Sequence, residues 1–109
     1  MKSEGTSKVT IVGGVFSNIN GGGSTGIAVW STESSTINVE HTQMIGNNIA
    51  VQPDLGSQIR LSDTTVYDNK TGYACGTGGT LVSAGNNRKA GNTGGVVATC
   101  VPTLSITIQ

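Results

Sequence analysis

A step of 22 residues recurs along this chain, and it constrains the fold more than any other feature. Ile37-Asn38-Val39, Ile59-Arg60-Leu61 and Leu81-Val82-Ser83 begin 22 positions apart, each with a Ser or Gly shortly before it. Ile27 and Val29 return 22 positions later as Ile49 and Val51, and Thr42, Thr64 and Asn86 keep the same step. Val9-Thr10-Ile11 precedes Ile37 by 28, and the surplus of six falls in the polar stretch 20–25, which reads as an insertion in one coil. At the other end Leu104, Ile106 and Ile108 alternate with Ser105 and Thr107 about one period beyond Leu81, and read as the first strand of an incomplete fifth coil. A short unit repeated at a fixed period buries its apolar face only by stacking on its neighbours.

The residue types say which kind of unit this is. Gly, Ser, Thr and Asn supply 52 of the 109 residues, while 20 are Val or Ile, four are Leu and four are aromatic. Scattered β-branched residues argue against a disordered linker and for strands, because branching at Cβ stiffens the side chain in a helix and suits a pleated surface. The recurring Gly46-Asn47-Asn48, Asp68-Asn69-Lys70 and Gly91-Asn92 supply turns, where Gly and Asn tolerate left-handed backbone, and stacked Asn side chains can bond along the axis. A 22-residue unit is too short for a propeller blade and lacks the leucine pattern of leucine-rich repeats. The expected fold is all-β: a short right-handed parallel β-helix, or solenoid, of about four 22-residue coils plus a C-terminal strand. Residues 1–7 are polar and expected to be disordered, with 8–109 as one domain.

Two runs in particular, Gly56-Ser57-Gln58-Ile59-Arg60-Leu61-Ser62-Asp63-Thr64-Thr65-Val66-Tyr67-Asp68-Asn69 and Gly78-Gly79-Thr80-Leu81-Val82-Ser83-Ala84-Gly85-Asn86-Asn87, resemble the C-terminal coils of bacterial right-handed parallel β-helix repeat proteins, the pectate-lyase-like superfamily. The resemblance covers about residues 8 to 95 and lies in the coil consensus. It implies a superfamily containing polysaccharide lyases, hydrolases and epimerases, phage tailspikes and surface proteins.

Lyase chemistry of that kind calls for clustered carboxylates to hold calcium and a basic residue beside a sugar carboxylate. Glu33, Glu40, Asp54, Asp63 and Asp68 fall at different phases of the period, so few share a face. The nearest constellation is His41 and Asp63, which differ by 22 and should stack on adjacent coils near Arg60; it reads as a surface ion pair. Trp30, with Tyr67 and Tyr73, is a candidate for sugar stacking, but the phases differ, and Trp30 reads as a turn-side packing residue or one at a subunit contact. Gly21-Gly22-Gly23 lacks the Lys-Ser/Thr and the helix of a phosphate loop. Cys75 and Cys100 are 25 apart, which allows a bridge, but they read as buried free thiols that pack like small hydrophobes. One His and two Cys fall short of a metal centre, and no cofactor is expected.

Six Lys and Arg balance six Asp and Glu, so nothing pulls the chain toward nucleic acid or an anionic membrane. The sequence as it stands contains no apolar run of the roughly 20 residues a membrane span needs and no signal peptide. It reads as cytosolic, or as a mature or excised piece of an exported protein. The functional expectation is a noncatalytic structural or interaction module that forms a homo-oligomer through open coil ends or the C-terminal strand, with Leu104, Ile106 and Ile108 as assembly residues. The alternative is a carbohydrate-binding or polysaccharide-cleaving β-helix fragment.

Overall fold

A computed structural model describes residues 1–20, 26–93 and 99–106. Among them the chain forms β-strands and no helix. Strands β1 (Lys2–Ser3), β2 (Lys8–Val12) and β3 (Val15–Ser17) make a first rung. The second consists of β4 (Ile27–Ser31), β5 (Thr36–Glu40) and β6 (Gln43–Ile45), and the third of β7 (Ile49–Pro53), β8 (Gln58–Ser62) and β9 (Thr65–Tyr67). The fourth is β10 (Thr71–Tyr73), β11 (Thr80–Ser83) and β12 (Arg88–Ala90), followed by β13 (Leu104–Ser105). Equivalent strands pair in parallel to give sheet A (β1-β4-β7-β10), sheet B (β2-β5-β8-β11-β13) and sheet C (β3-β6-β9-β12). Three all-parallel sheets visited in rotation are compatible with a parallel β-solenoid.

The register follows the period. Ile37, Ile59 and Leu81 stand opposite one another and are fully buried, as are Val39 and Leu61 beside them. Val29, Val51 and Tyr73 bring sheet A to the same core, and Phe16, Met44 and Val66 bring sheet C. The first rung is offset by 28, with Thr10 opposite Asn38 and Phe16 opposite Met44. The extra residues therefore lie between β3 and β4; of the stretch 20–25 expected to hold them, 21–25 lie outside the described residues.

Turns between strands stack as the strands do. Asn18, Gly46, Asp68 and Gly91 all have positive φ at one corner, and Ser34, Gly56 and Gly78 at another. Just past the first of these corners runs an asparagine ladder. Asn69 Oδ1 accepts from the backbone N–H of Asn47 (2.9 Å) and from its Nδ2 (3.0 Å), and Asn92 Oδ1 accepts the same two bonds from Asn69. Asn47 Oδ1 accepts from the backbone N–H of Ile19, which closes the ladder on the first rung. At the corner between sheets A and B, Ser35 and Ser57 accept the backbone N–H groups of Thr32 and Asp54. The fourth rung has Gly79 at this place because a Cβ there would sit 2.0 Å from the Pro53 carbonyl oxygen.

Four expectations need correction. Residues 1–7 are not disordered: Lys2 and Ser3 pair with Trp30 and Ser31, and Trp30 donates its N–H to the Met1 carbonyl (2.9 Å). Between rungs three and four the step in sheet C is 23, so Asn87, rather than Asn86, follows Thr64, accepting its N–H at 2.9 Å. Cys75 and Cys100 form a disulfide. The chain reverses there, with Thr99 antiparallel to Ala74 and the Cys100 N–H donated to the Tyr73 carbonyl, and this reversal lies outside the repeat. Finally, β13 does extend sheet B, but Leu104 stands opposite Val82, which stands opposite Arg60. It therefore continues the outer ladder, 54% exposed, while Thr103 and Ser105 continue the inner ones. Ile106 is half-buried and Ile108 lies outside the described residues.

Candidate functional site

At the corner between sheets B and C, Gly13, His41 and Asp63 stack on successive rungs with φ of 73°, 47° and 45°. Left-handed backbone at this place turns the side chain out of the strand, and His41 and Asp63 are 63% and 36% exposed. His41 Nδ1 lies 2.5 Å from Asp63 Oδ2, and Arg88 Nη1 donates to Asp63 Oδ1 at 2.9 Å. Asn86 accepts the Asp63 backbone N–H (2.9 Å), and Arg88 Nε donates to Thr65 Oγ1 (3.0 Å). The Arg88 hydrogen bond, and secondarily that of His41, holds the Asp63 carboxyl below its ordinary value. An ionised Asp63 can only accept, so His41 Nδ1 is the donor of this bond.

The expected contact across coils is therefore present, but its third member is Arg88 instead of Arg60. Arg60 lies on the outer face of sheet B, donating to Gln58 Oε1 (2.6 Å) and Asn38 Oδ1 (3.5 Å). The one-residue insertion in the fourth rung hid this, because it carries Arg88 level with Thr65, two residues beyond Asp63. An imidazole oriented by a carboxylate can relay a proton. Here both groups stand on an open corner, and the carboxylate is shared with a guanidinium.

Trp30 is held at its edge and on one face. Its Nε1 donates to Asp54 Oδ2 (2.9 Å), an oxygen that also accepts from Gln52 Nε2, and Lys2 Nζ lies 4.2 Å from the ring centroid. Asp54 was legible only as a carboxylate out of phase with the others; its partnership with Trp30 follows from the register that places Trp30 opposite Gln52. Tyr73 occupies a different ladder, opposite Val51, and is buried beneath the Lys89 ammonium at 4.5 Å; burial raises its phenol above the ordinary value. Tyr67 lies on sheet C. The aromatic rings thus do not share a platform.

A hollow of about 360 Å³ opens where β13 meets the end of β11, lined by Ser83, Gly85, Pro102, Thr103 and Leu104 among others. None of its lining side chains titrates. Among the described residues no group of His, Cys, Asp and Glu side chains comes together to hold a metal ion. No family model, curated protein or solved structure matches the chain.

Proposed function

We propose that the chain is a short right-handed parallel β-helix of the pectate-lyase-like kind, serving as a noncatalytic structural or interaction module that self-associates through open rung ends or the C-terminal strand. Handedness rests on a general rule: crossover connections between parallel strands of one sheet are almost always right-handed. The observation that carries the functional reading is how the polar side chains are used. Asn47, Asn69, Asn87 and Asn92 all bond backbone groups of other rungs, and Ser35 and Ser57 bond backbone N–H groups of their own corners. Polarity that could have built a binding site is bound up in the scaffold. Outer strands of the stack, by contrast, present backbone groups that pair with no strand among the described residues, a standing template for another chain.

The alternative, carbohydrate binding or cleavage, has its anchor in His41, Asp63 and Arg88, the polar cluster that faces solvent. The mass in solution as a function of concentration tests the first reading; a glycan array with a lyase assay on acidic polysaccharides tests the second. Concentration-dependent association without glycan signal is the expected result. A monomer with a saturable glycan or lyase response lost in His41→Ala and Asp63→Ala would reverse it.

A further inference from the structure

The two ends of the stack differ, and the difference selects an interface. At the C-terminal end the inner ladders finish in Thr103 and Ser105, Lys89 covers Tyr73, and the disulfide holds Thr99 and Cys100 antiparallel beside the end of β10. At the other end β2 is the last strand of sheet B among the described residues, and its five-residue outer edge pairs with none of them. Its inner side chains Val9 and Ile11 are only half-buried although they belong to the core, and Val12 and, on β3, Val15 are 61% and 65% exposed.

The hydrogen-bond parity of β2 says what fits there. The Ser7 carbonyl accepts from Thr36 and the Gly13 N–H donates to Glu40, so odd-numbered residues of this strand face β5. Backbone groups alternate in direction along a strand, so the N–H and C=O of Lys8, Thr10 and Val12 point out of the sheet edge. Three evenly spaced donor–acceptor pairs centred on Thr10 are complementary to themselves when run antiparallel. Thr10 would exchange two bonds with Thr10 of another copy, and Lys8 would exchange two with Val12 on each side.

Resting on the self-association reading, we propose that two copies of this chain pair β2 with β2 about a two-fold axis through Thr10, joining their sheets B edge to edge. In that register Val9 comes opposite Ile11 and the core runs through the junction, while each Lys8 stem lies along the exposed Val12 of the other copy. Shifting the strands to bring Lys8 opposite Lys8 would oppose like charges, which disfavours that register. An end face, between 22 × 27 and 27 × 35 Å in extent, is of the size of a standard interface, about 800 Å² per partner. Such a contact is isologous and closes at two, whereas end-to-tail stacking would continue into fibres.

Analytical ultracentrifugation of the wild type, Thr10→Pro and Val12→Lys tests this. Proline at residue 10 removes an N–H that faces away from β5, so the monomer keeps its ladder; Val12→Lys acts through an exposed side chain if the proline disturbs the strand. The expected result is a wild type at twice 11.0 kDa, with the dimer lost in both variants and their circular dichroism unchanged. A dimer that survives both variants, or a wild type that grows into larger polymers, overturns the β2 pairing and leaves the assembly reading standing. A wild type that stays monomeric up to about millimolar concentration overturns both.

Discussion

Removing the side chain of Asn69 should cost far more stability than removing an exposed polar side chain of the same size. Asn69 is 1% exposed and stands in the middle of the ladder. Its Oδ1 accepts the backbone N–H and the Nδ2 of Asn47, and its Nδ2 donates to Asn92 Oδ1 and to the Met44 carbonyl at 3.0 Å. In Asn69→Ala the Asn47 amide keeps one bond, to the Phe16 carbonyl, and Asn92 Oδ1 keeps the Asn69 backbone N–H. The Asn47 N–H and the side of Met44 C=O that Asn69 served are left without those partners. An orphaned buried N–H costs about 1–3 kcal/mol and the lost second bond to a carbonyl about 0.5–1.5 kcal/mol, so the variant should lose about 1.5–4.5 kcal/mol. That is a large share of the roughly 5–15 kcal/mol that holds a domain together. Urea unfolding, followed by circular dichroism, reads the loss as a fall in midpoint at constant slope. Asn92→Ala, at the end of the ladder, should lose less, since Asn92 is only half-buried and its bonds to the Asn69 N–H and the Val66 carbonyl are partly exposed. Asn38→Ala serves as a control, its side chain making only the long contacts to Thr10 and Arg60 on the outer face. If Asn69→Ala costs no more than Asn38→Ala, the ladder is not what joins the rungs.

Other outcomes follow from the same structure. Reducing the disulfide, or Cys75→Ser, frees the segment around Cys100; loop-closure entropy for a separation of 25 residues puts the loss at about 3–4 kcal/mol, visible as a lower melting temperature with reductant. His41→Gly should be neutral or stabilising where His41→Ala is not, because φ at residue 41 is 47° and its counterpart in the first rung is already Gly13; thermal melts of the pair decide it. The depressed pKa of Asp63 contributes stability that is present above the carboxylate's unfolded value and is lost as pH falls through the folded one. The wild type should therefore lose slightly more stability than Asp63→Asn on going from neutral pH to below pH ~4, in melts at both pH values.

The inner ladders were readable because a period of two along each strand and a constant step between rungs act together: once Ile37, Ile59 and Leu81 align, every neighbour follows. Asn47 and Asn69 were readable as turn residues for the same reason. What the repeat could not carry were departures from it. The step of 23 moved Asn87 and Arg88 into places that a strict count gives to Asn86 and its neighbours. One full step beyond Leu81 is Thr103, and placing Leu104 there instead reverses every side chain of β13, since a slip of one residue exchanges the faces of a strand. Cys100 meets Cys75 only because the chain turns back on itself, which no parallel count foresees. Lys2 and Ser3 lack an apolar signal, and β1 forms through backbone pairing to β4.

The account rests on rungs stacked in register and joined by asparagines. Scalar couplings across hydrogen bonds, measured by NMR, test this most directly. Coupling should be found from the Asn47 amide nitrogen to the side-chain carbonyl carbon of Asn69, and from the Asn69 amide nitrogen to that of Asn92, with both amide protons among the slowest to exchange. Absent couplings together with rapid exchange at residues 47 and 69 would contradict the stacked arrangement.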